Sequence, residues 1–348
     1  MTYRIDPRID GRWADFLENH RGSGIFHTNE WLEALHRTYG YEPVVYTTTP
    51  PGRDLENGVP FCNVRSYLTG RRLVSLPFSD HCQPLAGTAE LQELLCGVKA
   101  GARIDKCEYV ELKPLTPLSP DVVTASDLTA SHDAVIHRLN LRRSVSEVVS
   151  GFHKDCVRRK IARSEREGLR YEEGRSEDLL QKFYRLLLMT RRRHGLPPQP
   201  LLWFRNLIDC LGDRLKIRVA SSKDGTPVAS IVTLSFKDVV TYKYGCSDPG
   251  FNALGGTALL MWRTIEEAMR NGAAELDLGR SDYDTPGLIS FKDHWGADRY
   301  AITYYRNPAT TTAIRANGFA ATTARRLITS VPDSLFTTLG GFIYRHVA

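Results

Sequence analysis

Three β-rich runs stand in a row in the second half of the chain, "RLKIRVASS", "TPVASIVTLSF" and "DVVTYKYGCS", separated by "KDG" and "KD". Gaps this short, carrying Asp and Gly, suit hairpin turns, so the runs predict an antiparallel meander. Directly after it, "GGTALLMWRTIEEAMRNG" sets Leu259, Leu260, Trp262, Ile265, Ala268 and Met269 at helical spacing and stops at Asn271-Gly272. "AAELDLG" then reads as a buried strand. The order strand, strand, strand, helix, strand confines this half to a mixed α/β unit.

The first half repeats that order more weakly. "EPVVYTTT", "GVPFCNVRSYL" and "RRLVSLPF" read as strands, "TAELQELLCGVKAG" as a helix and "KCEYVELKPL" as a strand. A chain of 348 residues has room for two domains of ordinary size. The expectation is therefore an α/β (α+β) protein of two tandem units, each a mixed sheet flanked by helices. We place them at 1–140 and 141–310, with a C-terminal helical tail at 311–348.

Between the units lies "SVSEVVSGFHKDCVRRKIARSEREG", opened by Ser144 and Glu147 in capping-box spacing and closed by Gly168. It predicts a single basic helix over 144–167. From Arg138 to Arg170 ten Lys or Arg face four Asp or Glu, a local +6 that equals the net charge of the whole chain. Such an element suits an anionic partner, whether nucleotide diphosphate, RNA phosphate or acidic headgroup, or else a plain solvated face. A second helix, "SEDLLQKFYRLLLMTRRRHG", is ended by the prolines of "LPPQP".

Seven cysteines without a CxxC pair or zinc-type His spacing indicate neither a disulfide framework nor a structural metal. The start, "MTYRIDPRIDGRW", has no apolar core of the signal-peptide kind, so the expected location is the cytoplasm. The tail mixes basic and apolar residues in "ARRLITS" and "FTTLGGFIYRHVA", which suits packing on the body or peripheral contact with a membrane surface.

Several residues carry chemistry in this pattern. Gly255 and Gly256 precede a helix, where free N–H groups attract anions and absent side chains would allow a phosphate to approach. Asp277 sits inside the apolar "LDLG", where a carboxylate needs a partner such as Arg280. Asp282 and Asp284 in the following stretch are alternative bases. In "FKDHWG", Lys292 has the charge to meet an oxyanion, and His294, two residues on in an expected extended segment, would share its face. Asp80, His81 and Cys82 cluster in "SLPFSDHCQPL", but neighbours on a strand point oppositely, which argues against a Cys-His nucleophile. Tyr242 and Tyr244 alternate on the third strand, bordering a channel or filling the core.

Taken together, "FHTNEWLEAL", "GRRLVSLPFSDHCQPL", "RRKIARSEREGL", "MTRRRHGLPPQPLLWFRNL" and "LDLGRSDYDTPGLISFKDHWGA" resemble the Fem peptidyltransferase (FemAB) and BioF2-like acetyltransferase branch of the Gcn5-related N-acetyltransferase (GNAT) superfamily. "LPFSD" and "PPQP" are especially similar to a subgroup found with exosortase, PEP-CTERM and exopolysaccharide gene clusters. The resemblance runs from about Phe26 to Arg306 and implies two GNAT-like domains. It implies that the Phe291-Lys292 pair is at the reaction centre, with Lys292 on the oxyanion and Asp277 and Arg280 beside it. It further implies that Arg158 and Arg159 meet acceptor phosphates, and that Ser79, Asp80, His81, Gln199, Phe291 and His294 contact substrate. Gly255, Gly256 and Tyr244 would face the donor. "NALGGTA" matches the coenzyme-binding signature of simple GNATs only in part, and no coiled-coil arm of the kind some Fem ligases carry is visible.

The resulting expectation is a cytoplasmic acyltransferase with no tightly bound cofactor and no metal. It would move an acyl or aminoacyl group from acyl-CoA or aminoacyl-tRNA to an amine of an anionic cell-envelope precursor, a nucleotide- or lipid-linked saccharide of peptidoglycan or exopolysaccharide. Direct attack in a ternary complex is expected. The rival from another class is a non-catalytic module that keeps the duplicated fold and binds anionic glycans, and a third is a peripheral membrane assembly factor.

Overall fold

A computed structural model describes residues 1–67, 70–308 and 332–346. The chain divides into two compact units, one formed by Met1–Ala134 with the strand residues that follow Tyr300, the other by Val135–Tyr300.

The first unit begins with β1 (Tyr3–Ile5), α1 (Gly11–Asn19) and α2 (Asn29–Tyr39), each helix opened by a side-chain cap, Asp10 on the Arg12 amide and Thr28 on the Trp31 amide. β2 (Glu42–Thr47), β3 (Val59–Ser66) and β4 (Gly70–Val74) form the expected meander, with Val45 opposite Pro60 and Cys62 opposite Val74. α3 (Thr88–Ile104) then carries the chain over to β5 (Tyr109–Leu112), which lies parallel to β4. The crossover is needed because parallel neighbours cannot be joined by a tight turn. α4 (Pro120–Ala125) closes against α3. Leu94, Leu95 and Val98 on the buried stripe of α3 meet Phe61, Leu73 and Leu112 from the sheet in one apolar core.

β6 (Thr129–Asn140) leads from the first unit into the second, which repeats the plan. β7 (Arg170–Gly174), β8 (Leu215–Ser221), β9 (Pro227–Phe236) and β10 (Val239–Ser247) pair antiparallel in turn. α9 (Gly256–Arg270) crosses to β11 (Glu275–Asp282), parallel to β10. Strand order is β1-β2-β3-β4-β5-β12 in the first unit and β6-β11-β10-β9-β8-β7 in the second, where β12 (Asp298–Asn307) is the strand by which the chain re-enters the first unit. α7 (Glu177–His194) and α8 (Leu201–Leu211) pack on the strands of the second unit, and Gly195 in the left-handed conformation ends α7 before "LPPQP".

Two expectations are corrected. The stretch 144–167 is not one helix: α5 (Val145–Ser150) stops, a new start is capped by His153, a π-helical turn runs Lys154–Arg158, and α6 (Arg159–Arg166) follows. The capping box at Ser144 and Glu147 is present, but the Gly151-Phe152-His153 break supplies a second N-terminus. The residues after Asp284 are not extended either; Pro286–Asp293 is a helix, α10, with proline in the first turn where its missing N–H costs nothing. The C-terminal helix Asp333–His346 is present, whereas "ARRLITS" and the Thr/Ala-rich start of the tail lie outside the described residues. No described helix is long and apolar enough to cross a membrane.

Candidate active site

The pairing of β10 with β11 covers Val239–Thr241 against Glu275–Asp277 and ends there, although β10 runs on to Ser247 and β11 to Asp282. A bulge between Tyr242 and Tyr244 falls just past the last pair, and Gly279 has φ +73, a left-handed value that suits glycine. Both strands therefore change course at the point where a parallel sheet stops being continuous.

A cavity of about 360 Å³ opens in the second unit beside the end of β10. Val228 and Ala229 of β9, Ser247 of β10, Ser290 and Phe291 of α10, and Cys156, Val157 and Lys160 line it. Gly256, Thr257 and Ala258 contribute the first turn of α9. The amides of a first turn have no acceptor inside the helix, and the N-cap is Gly255, which has no side chain to receive them. This end of the cavity thus offers hydrogen-bond donors and the positive end of a helix dipole, with Lys160 among the residues that line the cavity.

The two glycines have a reason other than the one expected. A Cβ on Gly255 would lie 2.4 Å from the Lys160 carbonyl oxygen, and φ is +79 there. On Gly256 it would come to 3.0 Å from both Ala229 and Val228. Close packing of α9 on α6 and β9 already demands glycine, so the pair does not by itself signal a phosphate.

Lys292 also differs from expectation. The side chain is 2% exposed, and its ammonium donates to the carbonyls of Gly279 at 2.7 Å and Arg280 at 2.9 Å. Asp277, 3% exposed, accepts the Gly279 amide at 2.7 Å. Arg280 lies 3.4 Å from Asp282. Asp277, Arg280 and Lys292 are thus brought together, but around the β11 bend. His294 does not share the Lys292 face, because two steps along a helix turn a side chain to the opposite side. Lys292 points to β11 and His294 lines the cavity with Phe291.

Tyr244 is buried, its oxygen accepting from Trp203 Nε1 at 2.8 Å and Gln199 Nε2 at 3.0 Å, with Phe204 packed edge-on. Neither Tyr244 nor Gln199 lines the cavity. Tyr242 packs against the second unit's core, and burial raises its phenol pKa. Arg158 is exposed, and Arg159 pairs with Asp155 at 2.7 Å on the surface. Of this basic run it is Lys160 that reaches the cavity wall. Lys160, Cys156 and Thr257 had no sequence signal beyond their places on helices.

Ser79, Asp80 and His81 lie in the first unit, after β4. Ser79 is buried and donates to the Leu76 carbonyl at 2.8 Å, Tyr304 donates to the Asp80 carbonyl, and His81 meets Phe26 edge-on. Cys82 and His27 are in contact at 3.5 Å and fully buried. Burial lifts the Cys82 thiol to about 12, and burial first of all lowers His27 to about 4. His27 Nδ1 takes the Gly24 amide while Nε2 donates to the Gln83 carbonyl, so this neutral pair braces a loop and holds no thiolate.

His137, on β6, contacts Asp293 at 3.2 Å. Its pKa is lowered by burial and then by the nearby Lys292, against the pull of Asp293. Asp293 is itself lowered, chiefly by Arg299, which donates to it at 2.6 Å.

The fold is that of a protein built from two GNAT-type units. Residues 152–293 match the family model described as "Acetyltransferase (GNAT) domain", so the second unit carries such a domain. The structure is similar to that of FemX, at 13% identity over 87% of this chain and 96% of that one, with a TM-score of 0.69. It is also similar to L-PGS from Bacillus licheniformis, at 13% identity, 92% and 98% coverage and a TM-score of 0.59. A tandem GNAT protein from the clavulanic acid biosynthesis pathway matches at 12% identity, 88% and 97% coverage and a TM-score of 0.55. No curated protein sequence matches the chain. At these identities the structural likenesses establish the tandem GNAT fold.

Proposed function

We propose that the protein is an acyltransferase that delivers an acyl or aminoacyl group to an amine of an anionic envelope or exopolysaccharide precursor. The observation that carries this reading is the cavity at the end of β10, lined by the uncapped first turn of α9 and by Lys160. Donor N–H groups, with a lysine beside them, suit the phosphates of an acyl-CoA. The domain match supports the same chemistry.

Acyl transfer to an amine needs a held carbonyl, a route for the amine proton and donors toward the developing oxyanion. In this reading His294, on the cavity wall with Phe291, contacts the substrate. Lys292 is a positioning residue: its two hydrogen bonds fix the carbonyls of the β11 bend and so keep that strand in the course it takes past Asp277. The exposed charges Lys154, Arg158, Arg159 and Arg163 favour an anionic acceptor or an aminoacyl-tRNA.

The test is incubation with separate pools of acyl-CoA and aminoacyl-tRNA, with nucleotide- and lipid-linked saccharides as acceptors, followed by mass measurement. A mass gain on an acceptor is expected from one donor pool. Binding of acceptors with no turnover from either pool favours the non-catalytic glycan-binding module instead. For tRNA, affinity falling by roughly 0.7–0.9 log units per log unit of salt for each phosphate contacted marks direct binding.

A further inference from the structure

Where Cys156 and His294 line the cavity, two chain segments bring together side chains that the acyl-transfer reading does not use as a group. His153 and Cys156 come from the start of the π-helical turn, and His294 follows the end of α10. One ligand-capable atom from each lies within 4.8 Å of the others. The His153 amide donates to the His294 carbonyl at 2.8 Å, which ties the two segments at the backbone, and the two imidazole rings stand 4.6 Å apart between centroids. Among the described residues, neither the Cys156 thiol nor the His294 ring has a hydrogen-bond partner.

We propose that His153, Cys156 and His294 form a binding site for a single divalent transition-metal ion of the zinc type. One sulfur and two imidazoles form a borderline-soft donor set that suits Zn²⁺ and does not suit Mg²⁺ or Ca²⁺. Around a tetrahedral zinc, ligand atoms stand roughly 3.5 Å apart, as follows from bonds of about 2.0–2.3 Å. The two segments that would have to draw closer are already joined at the backbone by the His153–His294 hydrogen bond. Cys156 and His294 line the cavity, so such an ion would sit at its wall.

Two details shape the chemistry. His153 Nδ1 accepts from the amides of Asp155 and Cys156, both at 3.2 Å, the long end of the range for such bonds. The ring therefore carries its proton on Nε2, and ligation through Nδ1 would exchange those two long hydrogen bonds for a coordinate bond. Cys156 loses its thiol proton to solvent as the sulfur–metal bond forms, so uptake releases a proton and weakens as pH falls. In the sequence an H-x2-C step beside one histidine 138 positions away has none of the zinc-finger spacings, which is why the site is invisible there.

The test uses the full chain, reduced and stripped with a chelator, titrated with Co²⁺ and followed by absorption. One Co²⁺ per chain with a thiolate-to-cobalt charge-transfer band, displaced by Zn²⁺, is the expected result. Cys156→Ser should abolish the band, and His294→Ala should weaken binding by about tenfold or more. Cys96→Ser, at an exposed cysteine elsewhere, should change nothing. In the unmutated protein, Zn²⁺ should protect Cys156 from alkylation as mapped by mass spectrometry, a readout that stands even if a variant fails to fold. The proposal is overturned if the unmutated chain gives no thiolate band, if the band survives Cys156→Ser, or if Zn²⁺ leaves Cys156 alkylation unchanged. None of these measurements depends on acyl transfer.

Discussion

The Lys292 ammonium donates to the Gly279 carbonyl at 2.7 Å across thirteen positions of sequence, joining the last turn of α10 to the bend in β11. A buried cation satisfied by backbone oxygens is a brace, and its removal leaves two carbonyls to be desolvated without a donor.

Lys292→Met should therefore lower stability by about 2–4 kcal/mol, from two buried acceptors left at about 1–2 kcal/mol each. Urea unfolding followed by circular dichroism measures it. Lys292→Met with unchanged stability and abolished transfer would return the residue to the oxyanion role that its place beside Phe291 suggests.

Gly255→Ala should destabilise by about 1–3 kcal/mol, since a left-handed φ and a backbone oxygen in the way add together. Gly287→Ala is the comparison: nothing lies within 4 Å of its Cβ, and the change should stay within about 0.5 kcal/mol. Thermal melts of the two proteins side by side decide whether α9 starts on glycine for packing.

Tyr244→Phe removes the acceptor of two buried N–H groups, Trp203 Nε1 and Gln199 Nε2. A cost of about 2–4 kcal/mol is expected, with no direct effect on ligand contacts because the tyrosine does not line the cavity. Unfolding free energy and donor affinity, measured together, separate this from a channel-lining role.

The meander and its helix were legible because strand alternation, short turns and helical spacing are local signals that survive in one sequence. Both repeats were visible for that reason. The break in the basic segment was written in Gly151 and His153, but it is hidden by the continuing charge pattern, and the proline start of α10 was masked by the loop-like "DYDTPG". The cavity wall was beyond reach for a different reason. Cys156, Gly256 and Phe291 meet only through packing of α9, α10 and the π-helical turn, and no spacing encodes that. Lys292 shows the same limit from the other side: the residue was found, while its direction depended on α10 being a helix.

His27 gives a pH dependence with a definite sign. Its pKa falls from 6.5 in an unstructured chain to about 4 in the fold, chiefly through burial. Above pH 6.5 the ring is neutral in both states and contributes no slope. Between pH 6.5 and 4 the unfolded chain takes up a proton that the folded protein refuses, so stability falls as pH falls, by about 3 kcal/mol over the whole window, and this term levels off below it. Urea unfolding at intervals through that range should show the decline, and His27→Gln should flatten it while lowering stability at pH 7. An unchanged slope in the variant would mean that other groups carry the acid sensitivity and that the His27–Cys82 contact is not the brace described here.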